Sequence, residues 1–401
     1  MRVLLLLDWS YPCDHQFLST VYAENFPARD HDVTWIMRPE DSEQNSVKQY
    51  SWKDMDVYTL PREDFNPAKN YIRYHTENMK SNNIFSIITD FEKFDLVHVR
   101  NDLAMGLSAC YISQKWDLPF VHQISHLKAE SLIEEYQRDL GSFTDWGKSQ
   151  LGKRLRYTIA SSADVVLPIS EAMESYLQNN GYEQPMEVLP TGAEVVEEID
   201  NTLDIREKYD IESKYLLIYM GSMAPIRRLE FLFDVLNRVK EEYDVELLMM
   251  GGRSSEHRVR LEKKAAERGV ETETTFTGWI EDRDEINSAI ASADIGLSPF
   301  PTDSIVRTNA PIKSLEYMAV GTPVIASRTP DQEEVLTESG AGLAVDYNIK
   351  AFTEAIDSLL SNEEQRSRMG RAGKPYLKNN RNFTTLTKRV EDIYSQLIEE
   401  Q

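Results

Sequence analysis

Residues 311–327 read PIKSLEYMAVGTPVIAS, and this stretch decides the fold. Ile312, Leu315, Tyr317, Met318 and Ala319 recur at helical spacing and share one face. Gly321 suits a left-handed cap and Pro323 cannot continue a helix, so the helix is predicted to stop there. Val324, Ile325 and Ala326 then read as a short buried strand. Glu316 lies inside the apolar run. Either it reaches solvent from an amphipathic helix, or it offers a carboxylate to a ligand beyond the strand ends of an open α/β sheet.

Outward from this stretch, strand-like runs alternate with helical patterns, the signature of parallel sheets. Strands are predicted at residues 3–7, 33–37, 96–99, 120–124 and 165–168. A second series follows at 216–220, 245–250, 275–277, 295–298, 324–326 and 343–345. Helices are predicted near 16–25, 67–80, 103–114, 132–138, 147–161 and 171–179. In the second series they fall near 229–241, 258–268, 284–292, 312–319, 350–361 and 362–369. The fold class is α/β, with two doubly wound parallel-sheet domains in tandem, 1–193 and 194–383. The acidic segment 191–210, which lacks a strong period, marks the seam. Over 384–401, Leu386, Val390, Ile393, Tyr394 and Leu397 share a helical face, so this segment is expected to reach back onto the first domain.

The chain has 401 residues, long for a single core. Its 44 basic and 67 acidic residues give a net charge of −23, which argues against a general nucleic-acid binder. No apolar run approaches the roughly 20 residues that span a bilayer. The opening MRVLLLLDWS reads as a first strand and not as a signal peptide. Cys13 and Cys110 form neither a disulfide framework nor a zinc spacing, which points to a reducing cytoplasm.

Common nucleotide and hydrolase fingerprints (GxGxxG after a strand, GxxxxGK[ST], HExxH, GxSxG) are absent. Asp282-Arg283-Asp284 matches a D-x-D metal pattern, but in so acidic a chain it reads first as an N-cap for the helix that follows. Gly221 to Arg228, GSMAPIRR, joins a buried strand to an amphipathic helix. Arg227 and Arg228 there make either an anion site or a solvated pair. In PFVHQISH, His126 falls at the carboxyl edge of a strand, where ligands bind, whereas His122 reads as a packed core residue.

Taken together, YMGSMAPIRRLEFLFDVL, LLMMGG, FTGWIEDRDEINSAIASADIGLSPF and PIKSLEYMAVGTPVIAS resemble the retaining nucleotide-sugar glycosyltransferases of family 4. DLVHVRND, FVHQISH and ADVVLPISEAMESYL extend the resemblance through the first half. It implies the GT-B architecture, two facing Rossmann-like domains with the last helix packed back on the N-terminal one. It also implies transfer of a sugar from a UDP- or GDP-linked donor to a glycan or lipid-linked acceptor, with retention, and with neither metal nor further cofactor. By this resemblance Arg227 holds the diphosphate, Glu316 accepts from the ribose hydroxyls, and Trp279 and Ile280 cradle the base. Gly221, Ser222, Arg228 and Asn309 line the donor site. Backbone N–H groups at Ile312 and Lys313 meet the phosphates, and His126 faces the transferred sugar. A cytoplasmic location is implied, peripheral to the inner membrane face. The basic stretch Lys148, Lys153, Arg154, Arg156 is either a membrane contact or a solvated helix face.

Some positions depart from the family pattern. Thr308 replaces the first Glu of E-x7-E, Pro311 stands where Gly is frequent, and Ser222 where Arg is. WSYPCDHQF lacks the paired glycines after strand one, and His15 is the side chain there that could substitute. Thr308 motivates an alternative, a non-catalytic nucleotide-binding or scaffold subunit that supports a partner transferase, and a nucleotide-sugar hydrolase or epimerase on the same two-domain plan is a further one.

Overall fold

Apolar runs buried on both faces build two separate sheets, as expected when helices cover a parallel sheet from either side. The structure is a computed structural model in which residues 1–40, 43, 44, 46–60, 88, 93–199 and 203–400 are described. The expected helix at 67–80 lies outside the described residues. Two units are distinguished: Met1–Pro190 with Phe383–Gln401, and Thr191–Asn382.

The first unit holds β1 (Arg2–Tyr11), β2 (Asp32–Pro39), β3 (Lys48–Trp52), β4 (Met55–Thr59), β5 (Leu96–Arg100), β6 (Phe120–Ile124) and β7 (Val165–Pro168). They are ordered β3-β4-β2-β1-β5-β6-β7. Every pairing is parallel except β3 with β4. Helices α1 (Leu103–Trp116), α2 (Lys128–Gln137), α3 (Phe143–Ala160) and α4 (Glu171–Asn179) accompany them. Asp102, Ser142 and Ser170 start α1, α3 and α4 by accepting the backbone N–H of Met105, Asp145 and Met173. The expected helix at 16–25 is one α-turn, Gln16–Thr20, running into a π-turn, Val21–Asn25.

The hairpin β3–β4 escapes sequence reading. Its two turn residues, Lys53 and Asp54, both take left-handed φ of 51° and 63°. Such a turn is usually announced by Asn-Gly.

Helix Phe383–Glu399 belongs to this first unit. Phe383, Leu386, Val390, Ile393 and Tyr394 sink into one core with Phe17, Tyr22 and Phe26, each such side chain contributing about 1.5–3 kcal/mol by burial. Tyr394 also hydrogen-bonds Nδ1 of the buried His98, and Asn25 donates to Thr387 at 2.9 Å.

The second unit is a six-stranded parallel sheet: β8 (Tyr215–Met220), β9 (Val245–Met250), β10 (Thr274–Gly278), β11 (Ile295–Ser298), β12 (Val324–Ser327) and β13 (Gly342–Val345). Its order is β10-β9-β8-β11-β12-β13. The helices are α5 (Phe231–Val239), α6 (Ser255–Glu267), α7 (Arg283–Ser292), α8 (Ile312–Val320), α9 (Pro330–Ser339), α10 (Ile349–Leu360) and α11 (Glu363–Tyr376). Helix α11 outruns its expected end at 369. Packing against α8 overrides the stop signals of Gly370, Gly373 and Pro375.

The chain runs β8 to β10 on one side, then returns to β11 on the other side of β8. That reversal opens a crevice outside the carboxyl ends of β8 and β11, where doubly wound sheets bind ligands. Helix α8 is locked above it. A Cβ on Gly296 of β11 would stand 2.4 Å from the Tyr317 ring, so only glycine admits that ring. The Tyr317 hydroxyl then accepts the Met220 N–H at 2.9 Å and donates to the Leu297 carbonyl at 3.3 Å.

Candidate active site

Gly221 ends β8 with φ 130°, and Ser222 follows it, exposed. A 3₁₀ turn, Pro225–Arg227, then brings the Arg227 guanidinium 4.5 Å from the centre of the Phe300 ring, just past β11. Lys313 reaches the same ring at 4.4 Å and the Tyr219 ring at 5.2 Å. Lys313 is only 7 % exposed, and Arg227 Nη1 is buried without a hydrogen-bond partner. Burial, then the neighbouring Arg227, holds the Lys313 ammonium well below its ordinary pKa. Burial likewise lowers Arg227. Lys313 is also the second residue of α8, whose N-cap, Pro311, offers no side-chain acceptor. A cation there opposes the helix dipole. A buried lysine and a half-buried arginine around one ring, beside a helix N-terminus with no side-chain cap, make an anion site.

Arg228 turns away from it: its guanidinium is forked onto Asp303 at 2.5 and 3.2 Å, and its carbonyl accepts from Tyr347. Glu316 is 8 % exposed and takes Arg283 Nη1 at 2.9 Å, so it does not simply reach solvent. Asp282 caps α7 by accepting from Asp284 N at 2.9 Å. Among the described residues no cluster of three or more His, Cys, Asp or Glu is placed to hold a metal ion. Trp279 is 48 % exposed with the Arg253 guanidinium 4.0 Å over its ring, and Ile280 follows, half-buried. Thr308 is buried in the turn Ile305–Thr308 and donates to the Ile305 carbonyl, and Asn309 caps that turn.

Sequence reading assigned Lys313 by its backbone alone, and missed its side chain and Phe300. It also missed Gln332, a buried amide of α9. Gln332 accepts from Ser298 and from Ser314 (2.9 Å) and donates to the Ser327 carbonyl at 3.0 Å. It thereby ties the ends of β11 and β12 to the first turn of α8. Only the run of serines at strand ends hints at such a network.

In the first unit, His126 follows β6 and is exposed at the mouth of a cavity of about 210 Å³. His122 is buried, as expected for a core residue, yet it lines the same cavity. The basic stretch on α3 divides. Arg156 turns inward to a bidentate pair with Glu130 and donates to Tyr182 at 3.1 Å, and Lys153 lies 3.7 Å from Glu130. Only Lys148 and Arg154 face solvent.

Residues 201–375 match the family model of glycosyl transferases group 1, and residues 21–196 match that of glycosyltransferase family 4. The chain belongs to the family 4 glycosyltransferases. A GDP-mannose-dependent alpha-(1-6)-phosphatidylinositol dimannoside mannosyltransferase of Mycobacterium tuberculosis is 28% identical over 165 residues, 41% of this chain and 40% of that protein. The corresponding monomannoside enzyme of Mycolicibacterium smegmatis is 24% identical over 263 residues, 64% of this chain and 68% of that protein. The match thus spans about two fifths of the first relative and two thirds of the second. Sucrose-phosphate synthase from Thermosynechococcus elongatus superposes with a TM-score of 0.75 at 17% identity, over 100% of both chains. Anabaena HepE, in complex with UDP and glucose, superposes at 0.72 and 14%, over 99% of this chain and 100% of that one. These place the fold of this family 4 chain among the GT-B glycosyltransferases.

Proposed function

We propose that this family 4 member transfers a hexose from a nucleotide-activated donor, a GDP- or UDP-sugar, to a lipid-linked or polysaccharide acceptor. The observation that carries the proposal is the pair Arg227 and Lys313, gathered over Phe300 at the switch point of the second sheet, the lysine buried and the arginine half-buried. Charge develops on the leaving diphosphate as the glycosidic bond breaks. Preorganised cations in a site of low dielectric stabilise it without reorganising at that moment. Helix N–H groups at Ile312 and Lys313 complete the cradle. No metal ion is required in this reading, and retention of configuration follows the family.

Glu316, held by Arg283, is assigned to the ribose hydroxyls, and Trp279 and Ile280 to the base. His126 is assigned to the transferred sugar. Arg228, already taken by Asp303, supports the loop. The mannosyltransferase names of the relatives favour GDP as the donor nucleotide and a lipid-borne acceptor. Lys148 and Arg154, exposed on α3 behind exposed Leu140 and Phe143, support peripheral contact with an anionic surface. Among the described residues no helix is long and apolar enough to cross a membrane.

The test is a thermal-shift screen against GDP, UDP and ADP, with and without a chelator. One nucleotide is expected to raise Tm equally in both, and Arg227→Ala to weaken it roughly 10- to 100-fold, the worth of one bond to a charged group. A chelator-sensitive shift removes the metal-free part of the reading. No shift with any nucleotide overturns the transferase reading and transfers the weight to a scaffold subunit.

A further inference from the structure

Lys313 and Glu316 lie one helical turn apart on α8, and both are buried, at 7 % and 8 % exposure. Side chains at this spacing are neighbours on a helix surface. Their charges feel each other: burial and then Arg227 lower the Lys313 ammonium, while Glu316 pulls it the other way. A buried ammonium and a buried carboxylate so placed gain by closing onto one another, because each is costly alone. Here they stay apart. Glu316 Oε1 takes Arg283 Nη1 at 2.9 Å instead, and Lys313 rests against the Phe300 and Tyr219 rings.

Helix α7 does not select Arg283 on its own account. Arg283 is the first residue of that helix, where a cation meets the positive end of the dipole. Asp282, Asp284 and Glu285 around it are the residues such a terminus favours. Two of these acids adjoin Arg283 in sequence, yet its guanidinium crosses to α8. The side chain is 39 % exposed, so it is not held there as core packing. Its effect is a division of charge. With Oε1 taken, the second oxygen of Glu316 is left to accept from a ligand. With Glu316 satisfied, Lys313 keeps its charge for the anion that it and Arg227 face. Without the guanidinium, the cation left to Glu316 on its own helix face is Lys313.

We propose that Arg283 is a positioning residue of the donor site. It aims one oxygen of Glu316 at the ribose hydroxyls, and it keeps Glu316 from closing onto Lys313, which stays open to the diphosphate. The inference rests on the transferase reading above and adds what separates the nucleoside half of the site from its phosphate half.

Calorimetric titration with GDP and UDP shows which nucleotide binds. That one is carried through the variants with its dideoxyribose counterpart, which lacks both ribose hydroxyls. Arg283→Ala is expected to weaken the ribonucleotide roughly 10- to 100-fold, the worth of one bond to a charged group. It should also weaken the dideoxy probe about three- to tenfold, although that probe offers Glu316 no hydroxyl, because Glu316 now claims Lys313. The deciding variant is the double one, Arg283→Ala with Glu316→Gln. Taking the charge from Glu316 frees Lys313 again, so affinity for the dideoxy probe should return to within about twofold of wild type. Arg283→Met keeps the stem of the side chain and takes the place of Arg283→Ala if that variant does not fold. A merely structural arginine is not rescued by a second substitution, so a double variant no better than the single one overturns the inference. So does an Arg283→Ala protein that binds both probes as wild type does. In both cases the transferase reading stands, since wild type binds the nucleotide. Wild type that binds neither GDP nor UDP sinks the transferase reading and this inference with it.

Discussion

Lys313 occupies a position that folding alone would not choose. Its ammonium is buried, shares a ring with Arg227 and faces the positive end of its own helix. Lys313→Met keeps the length of the side chain and removes the charge. The variant is expected to be more stable by about 1 kcal/mol, the usual gain when a functional strain is relieved, and to bind nucleotide roughly tenfold or more weakly. Opposite movements of the urea midpoint and of nucleotide affinity would confirm that the lysine is kept for an anion. Loss of both would make it an ordinary structural residue. Little of this was legible beforehand. Arg227 and Arg228 look equivalent in sequence, and only Asp303, 75 residues away, separates them by claiming Arg228. Glu316 was singled out as an acid inside an apolar run, but its partner Arg283 lies on another helix. Pairings across tens of residues leave no periodic trace.

Among the elements, those with a strong apolar period stood where expected. Strands β6, β7, β9 and β11 have the expected limits, since an apolar run bounded by turn residues has few alternatives. The hairpin β3–β4 was missed because its strands, KQYSW and MDVYT, are half polar and its turn lacks glycine. The same observation yields a prediction. Lys53→Asn with Asp54→Gly supplies residues that accept left-handed φ, and should stabilise the protein by about 0.5–1 kcal/mol without touching either site. Chemical denaturation checks this. An unchanged or lowered midpoint would mean that Lys53, which pairs with Glu24, contributes more through that contact than the turn costs.

At the scale of the molecule, neutral buried imidazoles are concentrated in the first unit. Burial, aided by Arg100, pushes His98 down to about 3, and burial with Arg156 does the same to His122. His15, half-buried beside Arg100, is lowered to about 3 as well, chiefly by desolvation. The folded values lie below the ordinary 6.5, so between pH 6.5 and 3 the unfolded chain binds protons that the folded unit refuses. Stability is therefore complete above about 6.5 and is lost as the pH falls through that window, at up to about 1.4 kcal/mol per pH unit for each imidazole. From pH 6.5 to 5, His98 and His122 together should remove roughly 3 kcal/mol. Free carboxylates ordinarily titrate near pH 4, so the upper part of the window reads histidine. Five of the six tryptophans, Trp9, Trp35, Trp52, Trp116 and Trp146, lie in the first unit, so fluorescence follows its unfolding. Urea midpoints at pH 7.5, 6.5 and 5 should fall steeply only below 6.5, and His122→Gln should flatten that fall by about a third to a half. A midpoint flat to pH 5 would mean that these imidazoles find proton acceptors in the folded unit.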